Sequence, residues 1–415
     1  AGLTVWQDII PLGTGNLPRD EAYLQGTIAE AIAVIKERRN HPCLILLEGG
    51  EEAFLRTTDP KFTNDFLLAL GDSVQNYLNL PYVPDSPLTY ATARSVGYKA
   101  KEADHVLAYF YAMGNWLMED YLKGLDYPIY PEFAITSVPS VESLKKFIPE
   151  NELWPPGLSW GHHWADLDRL KMQNFDTFDD ERTGSLEEFV NASQDAQGII
   201  FQLGVEQFRR AKPRVSGVAL CHLITYWPDM KWGIIDAYQQ PKRSFTHVQN
   251  AYQPLLVTLD YAKRRWQNDE PFTASIWVVN DLYDEYKKCN AVIKITDDNG
   301  KKLLSKTYPI EAIKANSSEK FVELNLNFLK KVEKTFHVEL GLMDDNGKTI
   351  SQNSYFFLIG DQQKASDKMK AMGKAMRARN GKYTYGNYYR FFPDVVRKGE
   401  KDWQSGKDAP KADGF

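Results

Sequence analysis

Three glutamates follow apolar runs in a way that permits acid–base work. Residues 41–52 read HPCLILLEGGEE, where the short apolar run Cys43–Leu47 gives way to two glycines and the carboxylates Glu51 and Glu52. Residues 127–134 read YPIYPEFA and place Glu132 at the end of a second run. A continuous apolar stretch of this length suits a parallel strand buried on both faces. The C-terminal ends of such strands are where α/β barrels hold their reacting groups. Two acids so placed match what glycosidic bond cleavage requires: one protonates the leaving oxygen and the other attacks the anomeric carbon. Other chemistries find no such support, since neither a phosphate loop nor a Ser-His-Asp nucleophile elbow is present. Cys43, Cys221 and Cys289 are too few and too scattered for a disulfide framework or a zinc site. His162 and His163 look like a ligand pair, but neighbours on a strand point to opposite faces, and no acid or Cys stands at ligand spacing. No metal and no cofactor are expected.

These acids need elements to hold them. A strand over Leu3–Gln7 is followed by a helix carrying Leu24, Ile28, Ala31, Ile32 and Ile35 at helical spacing, with Asp20 and Glu21 in its favourable first turn. After the Cys43–Leu47 strand, a helix is expected over about Lys61–Leu78, then a short strand over Pro81–Asp85. His105–Tyr111, Pro128–Glu132 and Val215–Thr225 supply further strands, and Ser185-Leu-Glu-Glu188 is a capping box that opens a long helix to about Arg210. Alternating strand and helix argues for a parallel sheet with helices outside.

From Pro254 the pattern changes to about seven short strands over roughly 105 residues, as in an immunoglobulin-like sandwich. Two identical Asp-Asp-Asn-Gly turns, Asp297–Gly300 and Asp344–Gly347, mark tight hairpins. Residues 361–415 hold thirteen Lys or Arg against seven Asp or Glu, and a tyrosine-rich stretch runs from Tyr383 to Phe392. The stretch Gln362–Arg379 fits a basic amphipathic helix with a weak apolar face, which suits a linker or docking tail better than a membrane anchor. The expected organisation is therefore 1–252, 253–360 and 361–415: an α/β domain, an all-β sandwich and a tail.

The 415 residues carry a formal charge of −5, which gives no reason to expect nucleic acid as a partner. No run approaches the roughly 18 apolar residues of a membrane span. Aromatic residues make up 13%, with ten Trp, so sugar-stacking surfaces are available alongside core positions. Trp116, Trp160 and Trp164, in long loops, are candidates for such walls. The chain opens directly on a strand without Met, as a piece of something longer would.

The segment Arg39-Asn-His-Pro42 through Glu52 resembles the acid/base segment of glycoside hydrolase family 2, especially its β-mannosidase branch, which reads R-N-H-P-S, a strand, then G-N-N-E. Pro131-Glu132-Phe133-Ala134 resembles its S-E-F-G nucleophile motif, and Gly2-Leu-Thr-Val-Trp-Gln-Asp8 its G-L-L-V-W-Q-D strand. Tyr226-Trp227-Pro228, with Trp232-Gly-Ile-Ile-Asp236 and Pro241-Lys242, matches the W-P…D…P-K segment. The matches run in order from residue 2 to about 257. The resemblance implies a partial (β/α)8 TIM barrel holding strands three to eight, with missing N-terminal domains in the full-length protein, followed by the immunoglobulin-like sandwich. It implies a retaining exo-β-glycosidase acting on β-linked oligosaccharides, with Glu132 as nucleophile, Glu52 as acid/base and no cofactor. It also implies a periplasmic or secreted location. Trp6, Asp8, His105 (in an Asp104-His105 echo of a D-x-H element), Trp116 and Trp227 join Glu51 as candidate substrate-binding residues. Two departures fall at the sugar: Glu51 replaces the Asn that contacts the 2-hydroxyl, and Cys221 replaces the Trp platform in a segment usually W-Q-L-N-D. A carbohydrate-binding relative without turnover, or an inert structural fragment, are the alternatives these departures leave open.

Overall fold

A computed structural model describes residues 3–9, 17–89, 92–93, 107–111, 122 and 127–380. Three parallel strands come first: β1 (Val5–Asp8), β2 (Leu44–Glu51) and β3 (Tyr82–Ser86), paired in that order. The connections are helical, as parallel pairing demands. Helix α1 (Glu21–Arg38) joins β1 to β2, its N-terminus capped by the Asp20 carboxylate on the Ala22 amide. After the short helix α2 (Ala53–Arg56), helix α3 (Pro60–Gln75) leads to β3, with Pro60 in its first turn and Asp59 capping the Phe62 amide. Ile35 of α1, Leu67, Leu70 and Val74 of α3 and Leu47 of β2 are fully buried in one apolar cluster. This cluster is what keeps the strand ends in place.

The close approach of β2 to its neighbours depends on Gly49. A Cβ there would meet the Tyr82 hydroxyl at 2.2 Å and the Pro84 carbonyl at 2.6 Å. Tyr82 itself donates to the Leu67 carbonyl of α3 at 2.6 Å, tying helix to sheet. A second three-stranded sheet has the order β4 (Tyr109–Tyr111), β5 (Ile129–Ala134), β6 (Gly217–Leu220). The strand at β6 is shorter than the expected Val215–Thr225.

The chain divides into two compact units. The first takes Ala1–Phe110, Asp126–Glu132 and Ser216–Ala219, and the second takes the remainder. In the second, the helix Leu186–Arg210 begins at the expected cap: Ser185 Oγ accepts from the Glu188 amide, and the Glu188 carboxylate reaches one residue beyond the N-cap to accept from the Gly184 amide.

The all-β part is a two-layer sandwich. One layer has the order β12 (Ser317–Leu326), β9 (Phe272–Asn280), β7 (Leu255–Tyr261). The other has the order β11 (Lys302–Ile313), β10 (Tyr286–Asp297), β13 (Thr335–Met343), β14 (Thr349–Ile359), β8 (Arg265–Trp266). Phe272, Phe336 and Phe357 pack edge-on and stacked in its centre, all fully buried. Both Asp-Asp-Asn-Gly turns form hairpin ends alike. The first Asp carboxylate accepts two backbone amides, at 3.0 and 2.9 Å in one turn and 3.0 and 2.8 Å in the other. Gly300 and Gly347 adopt φ of 76° and 79°, where a side chain would be strained. The helix Gln362–Asn380 follows, and the tyrosine-rich tail beyond it lies outside the described residues.

Candidate active site

The carboxylates converge in the first unit, at and near the C-terminal ends of β1, β2 and β5. Register sets the geometry. Asp8 pairs with Glu48, and Gly50 pairs with Asp85. In-register neighbours on parallel strands, and residues two apart along one strand, share a face, so Asp8, Glu48 and Asp85 emerge on the same side of the sheet. Glu51, the last residue of β2, hydrogen-bonds Glu132 of β5. One of those two carboxyls must carry a proton for this bond to exist.

Asp85 builds the turn that carries the acids. Its carboxylate accepts from the amides of Ala53 at 3.0 Å and Phe54 at 2.9 Å, the first two residues of α2. The Glu52 amide donates to the Ser86 carbonyl at 2.6 Å, and Glu52 is held in the left-handed region at φ 54°. A non-glycine residue in that conformation is uncommon and is held by its surroundings. Here those surroundings are the Asp85 cap and the β3 strand end.

Crowding raises the affinity of these groups for protons. Burial, then the charges of Asp8 and Asp85, push the Glu48 carboxyl up to about 10. Burial, then the neighbouring Glu132 charge, push Glu51 up to about 8. Burial raises Asp85 to about 7 against the opposing amides of Phe54, Ala53 and Ser86. Partial burial also raises Asp8, offset in part by its hydrogen bond with Glu48. The Tyr109 phenol joins the group, hydrogen-bonded to Ser86 and pushed upward by burial and by the charges of Glu132, Glu48 and Glu51.

The site residues expected from sequence therefore divide. Asp8, Glu51 and Glu132 come together, with Glu52 adjoining Glu51. Trp6 lies on β1 two residues from Asp8, half-buried, with its indole N–H buried and unpartnered among the described residues. His105 and Trp116, like Asp104, lie outside the described residues. Trp227 belongs to the second unit, in a cluster with His163 (ring centroids 5.6 Å apart), Trp164 (5.2 Å) and His162 (6.2 Å). Tyr226 beside it is 73% exposed. Trp164 is partly exposed, whereas Trp160 is fully buried against Trp154 and Phe189 and cannot serve as a stacking wall. The histidine pair is not on a strand. His162 ends a short helix and His163 follows it, with the rings 4.8 Å apart and His163 Nδ1 at 2.6 Å from the Pro228 carbonyl. No group of three or more metal-ligating side chains occurs among the described residues. Lys242 of the Pro241-Lys242 motif is buried and donates to Ser137 Oγ at 2.9 Å. Asp236 accepts the amides of Tyr238 and Gln240, so this motif braces loops. Glu48, Asp85 and Tyr109 were not anticipated. The visible signals were an acid interrupting an apolar strand at Glu48 and one ending a short strand at Asp85.

Strand-end carboxyls on an α/β unit, in a chain that also carries a β-sandwich, are the features to set beside known proteins. Residues 273–358 match the Mannosidase Ig/CBM-like domain family. β-Mannosidase B of Aspergillus terreus is 22% identical over 73% of this chain and 39% of its own length. That of Aspergillus clavatus is 24% identical over 68% and 37%. Among solved structures, the β-D-mannosidase of Dictyoglomus thermophilum superposes with TM-score 0.67 at 25% identity, covering 86% of this chain and 43% of that one. The Amycolatopsis orientalis exo-chitosanase shares the fold at TM-score 0.59 and 18% identity, over 82% and 39%. Over most of its length the chain is similar to these β-mannosidases, and it spans about two fifths of the length of these relatives.

Proposed function

We propose that this chain is the C-terminal portion of a retaining exo-β-glycosidase, acting on non-reducing-end β-mannosides or related β-glycosides. Residues 1–252 would form a partial (β/α)8 barrel that carries the reaction, with 253–360 as its sandwich and 361–415 as a tail. The observation that carries this reading is the contact of Glu51 with Glu132. It brings the end of β2, with Glu52 next in sequence, up to the end of β5.

In the proposed mechanism, Glu132 attacks the anomeric carbon while Glu52 donates its proton to the departing oxygen. Water, deprotonated by Glu52, then releases the sugar from Glu132 with the original configuration restored. Double displacement calls for carboxyls about 5–5.5 Å apart. Glu51, Trp6 and Asp8 would contact the sugar, while the roles of Trp227, His105 and Trp116 rest on the sequence motifs alone. No helix among the described residues is long and apolar enough to cross a membrane, and a periplasmic or secreted setting fits the carbohydrate substrate.

Variants of the two acids separate the roles. Glu52→Ala should lose turnover of substrates with poor leaving groups and regain it with added azide, giving a β-glycosyl azide. Glu132→Ala should yield the α-azide. An azide product from neither, or rescue at Glu51→Ala instead of Glu52→Ala, would overturn the assignment.

A further inference from the structure

A groove of about 390 Å³ lies on the outward face of the sandwich layer β12-β9-β7. That volume falls within the range of small-ligand pockets, about 300–1,000 Å³. Register explains its shape. Asp260 of β7 pairs with Ser275 of β9, and Ser275 pairs with Glu323 of β12, so the three side chains form one row across the sheet. Thr273 pairs with Asn325 two residues along, on the same face. The central strand supplies the small side chains and its neighbours the longer ones, which leaves a trough over β9. Its floor is firm, because Phe272, Ile276 and Val278 fill the opposite face of the same strand and are fully buried. The long helix Leu186–Arg210 fixes one end. Arg210 donates to Thr258 Oγ1 at 2.6 Å and lies 3.8 Å from the Asp260 carboxylate. Side chains held this way lose little freedom when a ligand arrives.

The lining decides the kind of ligand. Each acid already has a basic neighbour, Arg210 for Asp260 and Lys320 for Glu323, so the groove does not call for a cation. It does not suit an apolar segment either, since Asp260, Thr273, Ser275, Glu323 and Asn325 are all polar. What it offers is hydrogen bonding in both senses: carboxylates accept, while hydroxyls and the Asn325 amide both donate and accept. Trp277 Nε1 donates to Ser275 Oγ at 3.2 Å, which leaves the Ser275 proton and a lone pair for a ligand. The half-buried Trp277 ring follows two residues along β9 and adds an apolar edge beside the polar row. A ring with adjacent hydroxyl groups on an apolar frame complements this pattern. We propose that the groove is a non-catalytic binding site for a short stretch of a neutral glycan chain, held by Asp260, Ser275, Glu323 and Asn325. It shares no residue with the strand-end acids and stands whether or not Glu132 turns substrate over.

The test is affinity electrophoresis of the intact protein through gels containing glucomannan, galactomannan, xylan or mixed-linkage β-glucan. The Glu132→Gln background keeps the polymer from being consumed. At least one polymer should retard the protein. The double variant Glu323→Ala/Asn325→Ala should weaken that retention about tenfold, equivalent to about 1.4 kcal/mol. Both positions are exposed, and circular dichroism should show an unchanged fold. Should the double variant fail to fold, Thr273→Arg, at an exposed position in the trough, should block it to the same effect. Migration unchanged by all four polymers overturns the proposal. So does retention that survives the groove variants, and so does retention lost in Glu51→Ala but kept in them, which would place the glycan at the strand ends. Failure of fluorosugar labelling at Glu132 would count against turnover alone and leave the groove standing.

Discussion

Two buried glutamates, one in each compact unit, show how the same side chain serves different ends. Glu206, 1% exposed, lies on the helix Leu186–Arg210. Its carboxylate accepts from Asn353 Nδ2 at 2.7 Å, from the Tyr355 hydroxyl at 2.8 Å and from Thr258, with Arg210 3.6 Å away. Those partners belong to β14, β7 and the helix itself, so the network fastens the long helix to the sandwich. Glu48, 3% exposed, has Asp8 and Asp85 for neighbours and an oxygen with no partner among the described residues. A buried acid whose bonds are all made is a structural tie. One left crowded by like charges is a group held ready for a ligand or a proton, which is the arrangement expected of functional sites. The contrast supports the proposal that the strand ends of the first unit carry the chemistry, with the helix–sandwich network as scaffold.

Substitutions can break or sharpen this contrast. The largest effect is expected from Glu132→Gln, which should lower kcat/KM on an aryl β-glycoside by on the order of a thousandfold or more while leaving the melting temperature nearly unchanged. Glu206→Ala should do the reverse. Leaving Arg210, Asn353 and Tyr355 buried without their acceptor should cost about 3–5 kcal/mol in denaturant unfolding. Next comes Gly49→Ala. Its Cβ must displace the Tyr82 hydroxyl or the Pro84 carbonyl, so about 1–3 kcal/mol should be lost from the first unit. Asp85→Asn weakens the cap on Ala53 and Phe54 and should cost about 1 kcal/mol. Its larger signature is a drop in kcat, because the backbone of Glu52 is no longer pinned.

The most diagnostic effect belongs to Glu48→Gln, and it depends on pH. The folded carboxyl is held protonated to about 10, while in the unfolded chain it titrates near its ordinary 4.5. Between those values the folded state binds more protons than the unfolded one, so stability falls as pH rises. Glu51, raised to about 8, adds the same trend over a narrower range. Thermal melts of wild type should therefore decline relative to Glu48→Gln from pH 5 to pH 9. Parallel curves would mean that Glu48 is ionised in the fold.

Much of the scaffold was legible in the sequence because it is written locally. The apolar run before Glu51 and Glu52, the Ser185–Glu188 capping box and both Asp-Asp-Asn-Gly turns each depend on neighbours within four residues, and each formed where expected. Contacts between distant segments were not legible. Nothing local tells that Glu48 lies opposite Asp8, that Asp85 caps the helix after Glu52, or that Glu51 meets Glu132. Trp160 is buried by Trp154 and Phe189, the latter brought from a separate helix, so its type alone suggested a sugar wall. His162 ends, and His163 follows, a five-residue helix too short to announce itself by period. Arg265–Trp266, a two-residue strand, is set by its parallel pairing with Leu358 and Ile359 rather than by any pattern of its own.

The most direct test of the central claim is covalent trapping. The intact protein would be incubated with 2-deoxy-2-fluoro-β-glycosides of mannose, galactose and glucose, digested, and the labelled peptide mapped by mass spectrometry. A sugar attached to Glu132 is the predicted result, and it would establish the strand-end acids as a retaining pair. A label on Glu51 or Glu52, or sugar binding with no label from any reagent, would contradict it.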